Sequence, residues 1–518
     1  MSFRAPDFMP AVSVSLTKAG ARFHLPFRFI TMLLRGFIRP KASWPFGPFR
    51  TRTAHVLHAA QAQLGPSAAP SAPDAGQADS SEAASFYSGR FTFAGEAVLS
   101  TPDELFRHKA ASEAWRKERD SLAWLRHFSV KPRRLHVYYL ARLMDGWMAS
   151  SASSWNMQAE TERLNNLAAV LPGLSGCAGE REKAVFRQAL TLQCARVEHL
   201  KPHDPQAAVQ QSLSFLHLAR NSGGFAQLKE KAWAQLSSSL TQIVMADGGD
   251  AWQSPERAIA LADALHDVLG ENAGAPVDVL AAQDRLLAYI AMLNFGQGQW
   301  SADIAGEVPP ELEGRLVGVH AISHAAQAGR TRLQQGDTCL LAHWGREFNL
   351  AFFEIALRGK PLFLIHGGEG APAGAAKPAQ YEGGLAQGEM LSMAWHGEGF
   401  GHERRIYLSA DGKDIRFEDG RTGGKGPQSV WIDLPPRCKV LRSQDKAGAN
   451  IYMPDGSGWQ LRVRSAGISC TEAGRSLKIT AFDGAGPCMQ WALKKHPSAR
   501  PRGGKSQKPA AQDSELPF

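Results

Sequence analysis

Histidine is the side chain best suited to moving a proton near neutral pH, because its ordinary pKa lies close by. The sequence sets His396 and His402 on either side of Glu398, in the run His396-Gly397-Glu398-Gly399-Phe400. That grouping suits an acid–base residue lining a cleft. It equally suits a structural glycine turn that leaves a histidine on a strand. Trp155, Arg163, Trp252 and Arg257 combine flat aromatic faces with guanidinium groups. Together they could form a stacking and cationic surface, or they could be helix-packing aromatics and solvated arginines. Cys177, Cys194, Cys339, Cys438, Cys470 and Cys488 include no C-x-x-C pair and no histidine at zinc-ligand spacing. Neither a metal site nor a disulfide framework is visible, and no cofactor is expected.

The elements that must position these residues come in two kinds. A chain of 518 residues is too long for one core, so two large domains with appendages are expected. From Thr101 to about Phe295 the hydrophobic period is helical. Thr101-Pro102-Asp103-Glu104 reads as a capping box opening a helix that runs to about His127. Further helices are predicted at 132–149, 156–170, 179–199, 205–220, 225–245, 254–269 and 276–294. In the segment from Ser254, Ala258, Leu261, Leu265, Val268 and Leu269 recur at helical spacing before Gly270.

After Gln335 the period changes. CLLAHW, LAFFEIAL, PLFLIHG, RRIYLSA, SVWIDL, NIYMP, WQLRVRS, LKITAF and MQWALK are short, β-branched or aromatic runs. Turn signals such as Arg358-Gly359, Asp411-Gly412 and Asp455-Gly456 separate them, and a β-sandwich is predicted. The reading is a basic N-terminal arm (1–60), a linker (61–84), a helical domain (85–330), a β-sandwich domain (331–496) and a basic tail (497–518).

A formal charge of +9 suits an acidic partner, although much of the excess lies around Arg22 to Arg52 and after Lys494. Nucleic acid is not expected, because the folded regions carry no aromatic–basic or helix-turn-helix signal. No apolar run is long enough to span a membrane. The basic, apolar stretch 24–40 could lie on a membrane surface or pack on the body. Without a recognisable signal peptide, a cytoplasmic location is the default and the cell envelope an alternative.

Several stretches in this order are similar to the bacterial heparinase II/III-like family of polysaccharide lyases. Gly401 to Asp419 (GHERRIYLSADGKDIRFED) resembles that family's G-x-x-H-x-R-R-L-Y-L-S-x-D-G hairpin. Pro454 to Val463 (PDGSGWQLRV) resembles its P-x-G-x-G-W strand turn, and Gln490 to Leu493 its closing strand. Met245 to Leu269 looks like its D-G-G-H-x-E-R-S-P stretch; FTFAGEAVL, LAWLRHF and Trp155 followed by Glu162-Arg163-Leu164 look like its entry segments. The resemblance spans roughly residues 90 to 495. It implies an (α/α) incomplete toroid followed by an antiparallel β-sandwich, with an acidic polysaccharide bound between them. The chemistry it implies is β-elimination at a uronic acid, in which fixed donors stabilise the developing enolate charge and a deprotonated His or Tyr takes the C5 proton.

Carried across residue by residue, that pattern breaks where the chemistry should be. The family's first toroid His falls on Asp250, its acidic residue on Trp252, its Tyr on Arg257 and its second His on Ala258. An aspartate there would repel an anionic chain. At the junction, Gln327 and Arg330 take the positions of a His and a Tyr, with His324 close by. Sandwich histidines become Glu347, Asp433 and Pro435, and the stretch between Gly370 and Trp395 is short for the family. The resemblance therefore implies a divergent member with impaired catalysis. His396 and His324 are the remaining catalytic candidates, and Trp155, Arg163, Trp252, Arg257 and Arg330 the substrate-binding ones. The alternatives are an active lyase with relocated residues and a non-catalytic structural or interaction protein.

Overall fold

The computed structural model describes residues 80–496, apart from 109–110, 131, 151–155, 271–273, 305–307, 345–351, 368–374, 377–378, 398–399, 424–427, 472–475 and 483–487. The basic arm, the linker as far as residue 79, the tail, Trp155, Glu347 and Glu398 lie outside the described residues.

The helical half contains α1 (Ser80–Tyr87), α2 (Glu113–Ser121), α3 (Arg126–Ser129), α4 (Arg134–Ala149), α5 (Met157–Leu174), α6 (Glu180–His199), α7 (Pro205–Asn221), α8 (Gln227–Ile243), α9 (Pro255–Leu269), α10 (Val277–Met292) and α11 (Pro310–Arg315). Local chemistry sets the starts. Asp204 accepts from the Ala207 N–H at 2.7 Å with Pro205 opening α7, and Ser254 accepts from the Arg257 N–H at 3.4 Å with Pro255 opening α9. Each long helix packs on a chain neighbour, a helix two along, or both: α4 on α6, α5 on α6 and α7, α7 on α8 and α9, α8 on α10, α9 on α10. Inner and outer helices thus alternate around an arc, an incomplete (α/α) toroid. The inner helix α7 buries Gln211, Ser212 and Ser214 as well as Phe215, Leu216 and Leu218, as a helix covered on more than one side must.

Two expectations fail in this half. The predicted linker overruns its end, because Ser80–Tyr87 is helical and buries Ala83 and Phe86 in the toroid core. No continuous helix runs from Thr101 to His127: a single turn at Leu105–Arg107 is followed by α2 starting at Glu113. The buried Arg119 guanidinium takes the carbonyls of Leu105 and His108 at 2.9 and 3.4 Å, oxygens a continuing helix would need. The working cap is Ser112, which accepts from the Trp115 N–H at 3.1 Å.

A hairpin of β1 (Arg90–Phe93) and β2 (Glu96–Leu99) precedes the toroid helices, and a small one of β3 (Asn294–Gly296) and β4 (Gln299–Trp300) follows α10. The sandwich then comprises β5 (His324–Ala325), β6 (Arg330–Gln335), β7 (Thr338–His343), β8 (Phe352–Leu357), β9 (Lys360–Gly367), β10 (Ala375–Ala376), β11 (Gln380–Leu385), β12 (Gly388–Gly397), β13 (Phe400–Ser409), β14 (Asp414–Gly423), β15 (Ser429–Asp433), β16 (Lys439–Arg442), β17 (Gly448–Tyr452), β18 (Gly458–Arg464), β19 (Ala466–Cys470), β20 (Ser476–Ala481) and β21 (Cys488–His496). A nine-stranded antiparallel sheet runs β10-β12-β13-β14-β21-β18-β17-β16, with β11 also on β12. An eight-stranded sheet runs β19-β20-β15-β9-β8-β7-β6-β5.

The two sheets enclose one core, including Phe353, Phe417, Trp459 and Trp491. The eight-stranded sheet is also covered on its other face. Cys339, Leu341 and Ala356 join the core of the toroid, while Leu340, Ala342 and Ile355 face the sandwich. Burial on both faces is why β7 reads as an unbroken apolar run in place of an alternation.

One turn fastens the two halves. In Asp247-Gly248-Gly249, Gly248 has φ +79°, and an added Cβ would lie 2.0 Å from the Arg285 carbonyl oxygen of α10. A Cβ on Gly249 would lie 2.3 Å from the Cβ of Ala328. Gly248→Ala is therefore expected to destabilise the protein by at least about 2 kcal/mol, read as a lowered midpoint in chemical denaturation; an unchanged midpoint would show that the turn can shift at no cost.

Candidate functional site

Where that turn meets the sandwich, the chain gathers polar and aromatic side chains around His324. The Asp247 carboxylate accepts from the N–H groups of Gln327 (2.6 Å), Ala328 (3.1 Å) and Gly249 (3.1 Å). Gln327 returns the contact, its Oε1 accepting from Ala246 N–H at 3.0 Å and its carbonyl from Gln253 Nε2 at 2.9 Å. This fixes the segment that leads through β5 into β6.

His324 pairs with Thr331 in the β5–β6 register, and its Nδ1 lies 2.9 Å from the Thr331 hydroxyl. Its ring runs near-parallel to those of Tyr381 (centroids 5.7 Å, 21°) and Trp344 (6.1 Å, 21°). The Thr331 hydroxyl is buried and already accepts from Trp344 Nε1 at 3.2 Å. Its own proton can be accepted by His324 Nδ1. In that tautomer the ring proton sits on Nε2, where no described residue bonds to it. Burial pushes the His324 pKa down, with the nearby Asp247 charge opposing. At neutral pH the half-buried imidazole is a neutral donor aimed from Nε2.

Tyr381 reaches from β11 to Glu389 of β12, its hydroxyl donating to Oε1 at 3.4 Å. Burial pushes the Tyr381 pKa up, against a hydrogen bond from Ser323. Burial likewise raises Glu389, against the Gln334 N–H at 2.7 Å and other donors. The constellation thus holds a neutral imidazole, a protonated phenol and a carboxyl in one place.

Beneath it lies a buried ionic cluster. Arg330, 1% exposed, pairs with Asp303 and donates to the carbonyls of Ala328 and Gln253, each at 3.0 Å. His343 is fully buried, with Nε2 2.9 Å from Glu354 Oε1, and Glu354 also accepts from Ser301 and from Ala302 N–H at 2.7 Å. Burial alone would raise Asp303, but His343 and Arg330 outweigh it and hold its carboxyl at about 2.

The sequence candidates scatter across this architecture. Arg330 is committed inside the protein, so its guanidinium is not presented to a ligand. Arg163 is also buried, paired with Glu160 at 2.7 Å and donating to the Asp120 carbonyl at 2.6 Å; it braces α5 inside the toroid. Trp252 and Arg257 do come together, the exposed guanidinium lying 4.9 Å over the half-buried indole on the turn that carries Asp247. Asp250 does not face a ligand as expected. It is 2% exposed, and its carboxylate accepts from the Trp252 N–H at 3.1 Å within the turn.

His396 is exposed at the far end of β12. Tyr381 pairs with Leu391 on that strand, so His396 stands five residues on, roughly 17 Å away at the strand rise. The two histidine candidates are not in one site. His402 belongs to another buried group, with Nε2 3.3 Å from Asp419, which also pairs with Arg404 and accepts from Trp491 Nε1 at 2.9 Å. Sequence reasoning missed Tyr381, Thr331, Glu389 and Asp247; Trp344, expected in a sandwich strand, is buried in the sandwich core. The available signals were the Asp-Gly-Gly turn and the single tyrosine in the stretch judged too short to form a wall.

Two tests follow from the ionic cluster. Arg330→Met leaves the buried Asp303 charge with His343 at 3.7 Å as its remaining partner among the described residues and is expected to cost about 3 kcal/mol. Because Asp303 is held at about 2 against an ordinary 3.8, its contribution is present above that ordinary value and lost as pH falls through about 2. Denaturation midpoints of the wild type should decline between about pH 4 and pH 2, and a flat profile there would contradict the pairing.

No family model matches the sequence, and no curated protein matches it. Solved structures do share the fold. A heparan sulfate lyase from Pedobacter heparinus, solved as a mutant, superposes with a TM-score of 0.59 at 10% identity, over 90% of this chain and 86% of that one. A heparinase III gene product gives 0.62 at 11% identity, over 83% and 87%. The same product with methylated lysines gives 0.61 at 12% identity, over 81% and 84%.

Proposed function

We propose that this chain is a divergent relative of the polysaccharide lyases that binds an acidic polysaccharide where toroid meets sandwich, with β-elimination impaired or absent. The shared fold and the order of sequence resemblances support the ligand class. The observation that carries the rest is the protonation pattern around His324. Elimination needs a donor that neutralises the uronate carboxylate, a base deprotonated near working pH and an acid for the leaving oxygen. His324 supplies the donor: its neutral Nε2–H can meet a carboxylate, with the half-buried Tyr381 ring beside it. Among the described residues around His324, no tyrosinate or second imidazole stands ready as the base. Tyr381 is the hydroxyl beside His324, and its raised pKa keeps it protonated. Its contacts are Ser323 and Glu389, neither a cation able to stabilise a phenolate.

The proximity of His324 and Tyr381 favours one second reading, a slow lyase in which Tyr381 takes the C5 proton while passing its own to Glu389. Incubation with heparan sulfate, chondroitin and alginate, followed by ultraviolet absorbance of the unsaturated uronate, separates the two. The first reading expects no product, together with measurable binding that His324→Ala weakens about tenfold, or ~1.4 kcal/mol. Sustained product formation abolished by Tyr381→Phe would establish the second instead.

A further inference from the structure

We propose that the outer face of the nine-stranded sheet is a second binding surface for an anionic polysaccharide chain, remote from the His324 site. The choice of glycan as ligand rests on the function proposed above. The face looks away from the toroid, which covers the other sheet. Its four strands at one end, β21, β18, β17 and β16, contain no Asp or Glu at all.

Register fixes which side chains share that outer face. Across the sheet, Lys494 of β21 pairs with Gln460 of β18, and Gln460 with Asn450 of β17, which pairs with Leu441 of β16. One row away, Arg462 lies beside Ala492. A further row brings Arg464 beside Gln490. At the opposite side, Lys439 pairs with Tyr452. Arg462, Arg464, Lys494 and Lys439 are all exposed, and no ion pair is formed by any of them among the described residues. The neighbouring strand β14 does carry acids on this face, Asp414 opposite Lys494 and Glu418 opposite Gln490; Asp414 is taken by Arg416 at 2.8 Å and Glu418 by Arg405 at 3.3 Å. The acids of the adjoining turns, Asp445 and Asp455, accept from Ala447 and Ser457 N–H groups within those turns.

Cations in excess of the acids on one sheet face destabilise it, and a polyanion laid across the strands removes that cost. The remaining side chains select among polyanions. Gln460, set beside Lys494, offers the paired donor and acceptor that hydroxyl groups require. Tyr452, 42% exposed, presents a flat apolar face with a polar tip, suited to a sugar ring. A nucleic acid would find phosphate contacts here but, among the described residues of this face, only Tyr452 as an exposed base-stacking platform.

The test uses the full chain and a heparan sulfate oligosaccharide as probe, with unfolding midpoints confirming that each variant is folded. Arg462→Gln/Arg464→Gln/Lys494→Gln/Lys439→Gln should weaken binding at least tenfold and make it less sensitive to salt. Arg464→Gln/Lys494→Gln should give a smaller shift in the same direction and serves if the fourfold variant does not fold. His324→Ala is measured in parallel. Should it bind as the wild type while the sheet variants lose affinity, the function proposed for the junction fails and the outer face stands. Should the sheet variants bind the oligosaccharide as the wild type does, the outer face is overturned whatever His324→Ala shows. Loss of duplex DNA binding with glycan binding intact would overturn the assignment to a glycan.

Discussion

The carboxylate of Asp247 is the contact on which the arrangement of the two halves depends. Three backbone N–H groups converge on it, one from its own turn and two from the segment that enters the sandwich. Such donors would be unpaired wherever the two halves meet without water, and an ionised acceptor satisfies several at once. The glycines beside it let two backbones approach more closely than any side chain would permit. With the turn fixed, β5 is fixed, and with β5 the orientation of His324.

Buried charge at this junction serves geometry more than affinity. The side chains of Arg330, Asp303, His343 and Glu354 are all nearly inaccessible, and taking them out of water is costly. Their mutual hydrogen bonds offset that cost only in one arrangement, so the cluster sets the angle between β6, β7 and the loop after β4. Asp419 with Arg404, His402 and Trp491 acts similarly inside the sandwich, where burial would raise the carboxyl but Arg404 and His402 hold it at about 2. Residues that look like ligand-binding cations in a sequence can therefore be internal braces.

The division between what the sequence revealed and what it concealed follows from the range of the interactions. The seven helices predicted after residue 132 match α4 to α10 within a few residues, because caps and helical spacing are local. The change from helices to strands was also legible, though it comes at β5 and β6, before the Gln335 where the period changes; so were turns such as Asp411-Gly412. The long helix from Thr101 was misread, since a guanidinium 14 residues from Leu105 takes its carbonyl. The site was less legible still. His324 was noticed, but Thr331, Trp344 and Tyr381 meet it, and Glu389 meets Tyr381, only through sheet register and strand pairing. Arg330 and Arg163 carry the right chemistry for an anion and are turned inward, which no spacing rule reports.

The eight-stranded sheet, apolar on both sides, has a consequence for how this chain can be divided. By hydrophobic period it has two domains with a border near residue 330. Physically the sheet is a shared partition: the wall that closes the sandwich also closes the toroid. Cutting at the border would expose Cys339, Leu341 and Ala356 on one piece and the matching helix surfaces on the other. The halves are thus tied in folding as well as in space. A mutation deep in the toroid is felt as loss of the sandwich, and the protein should melt in one step where its sequence suggests two.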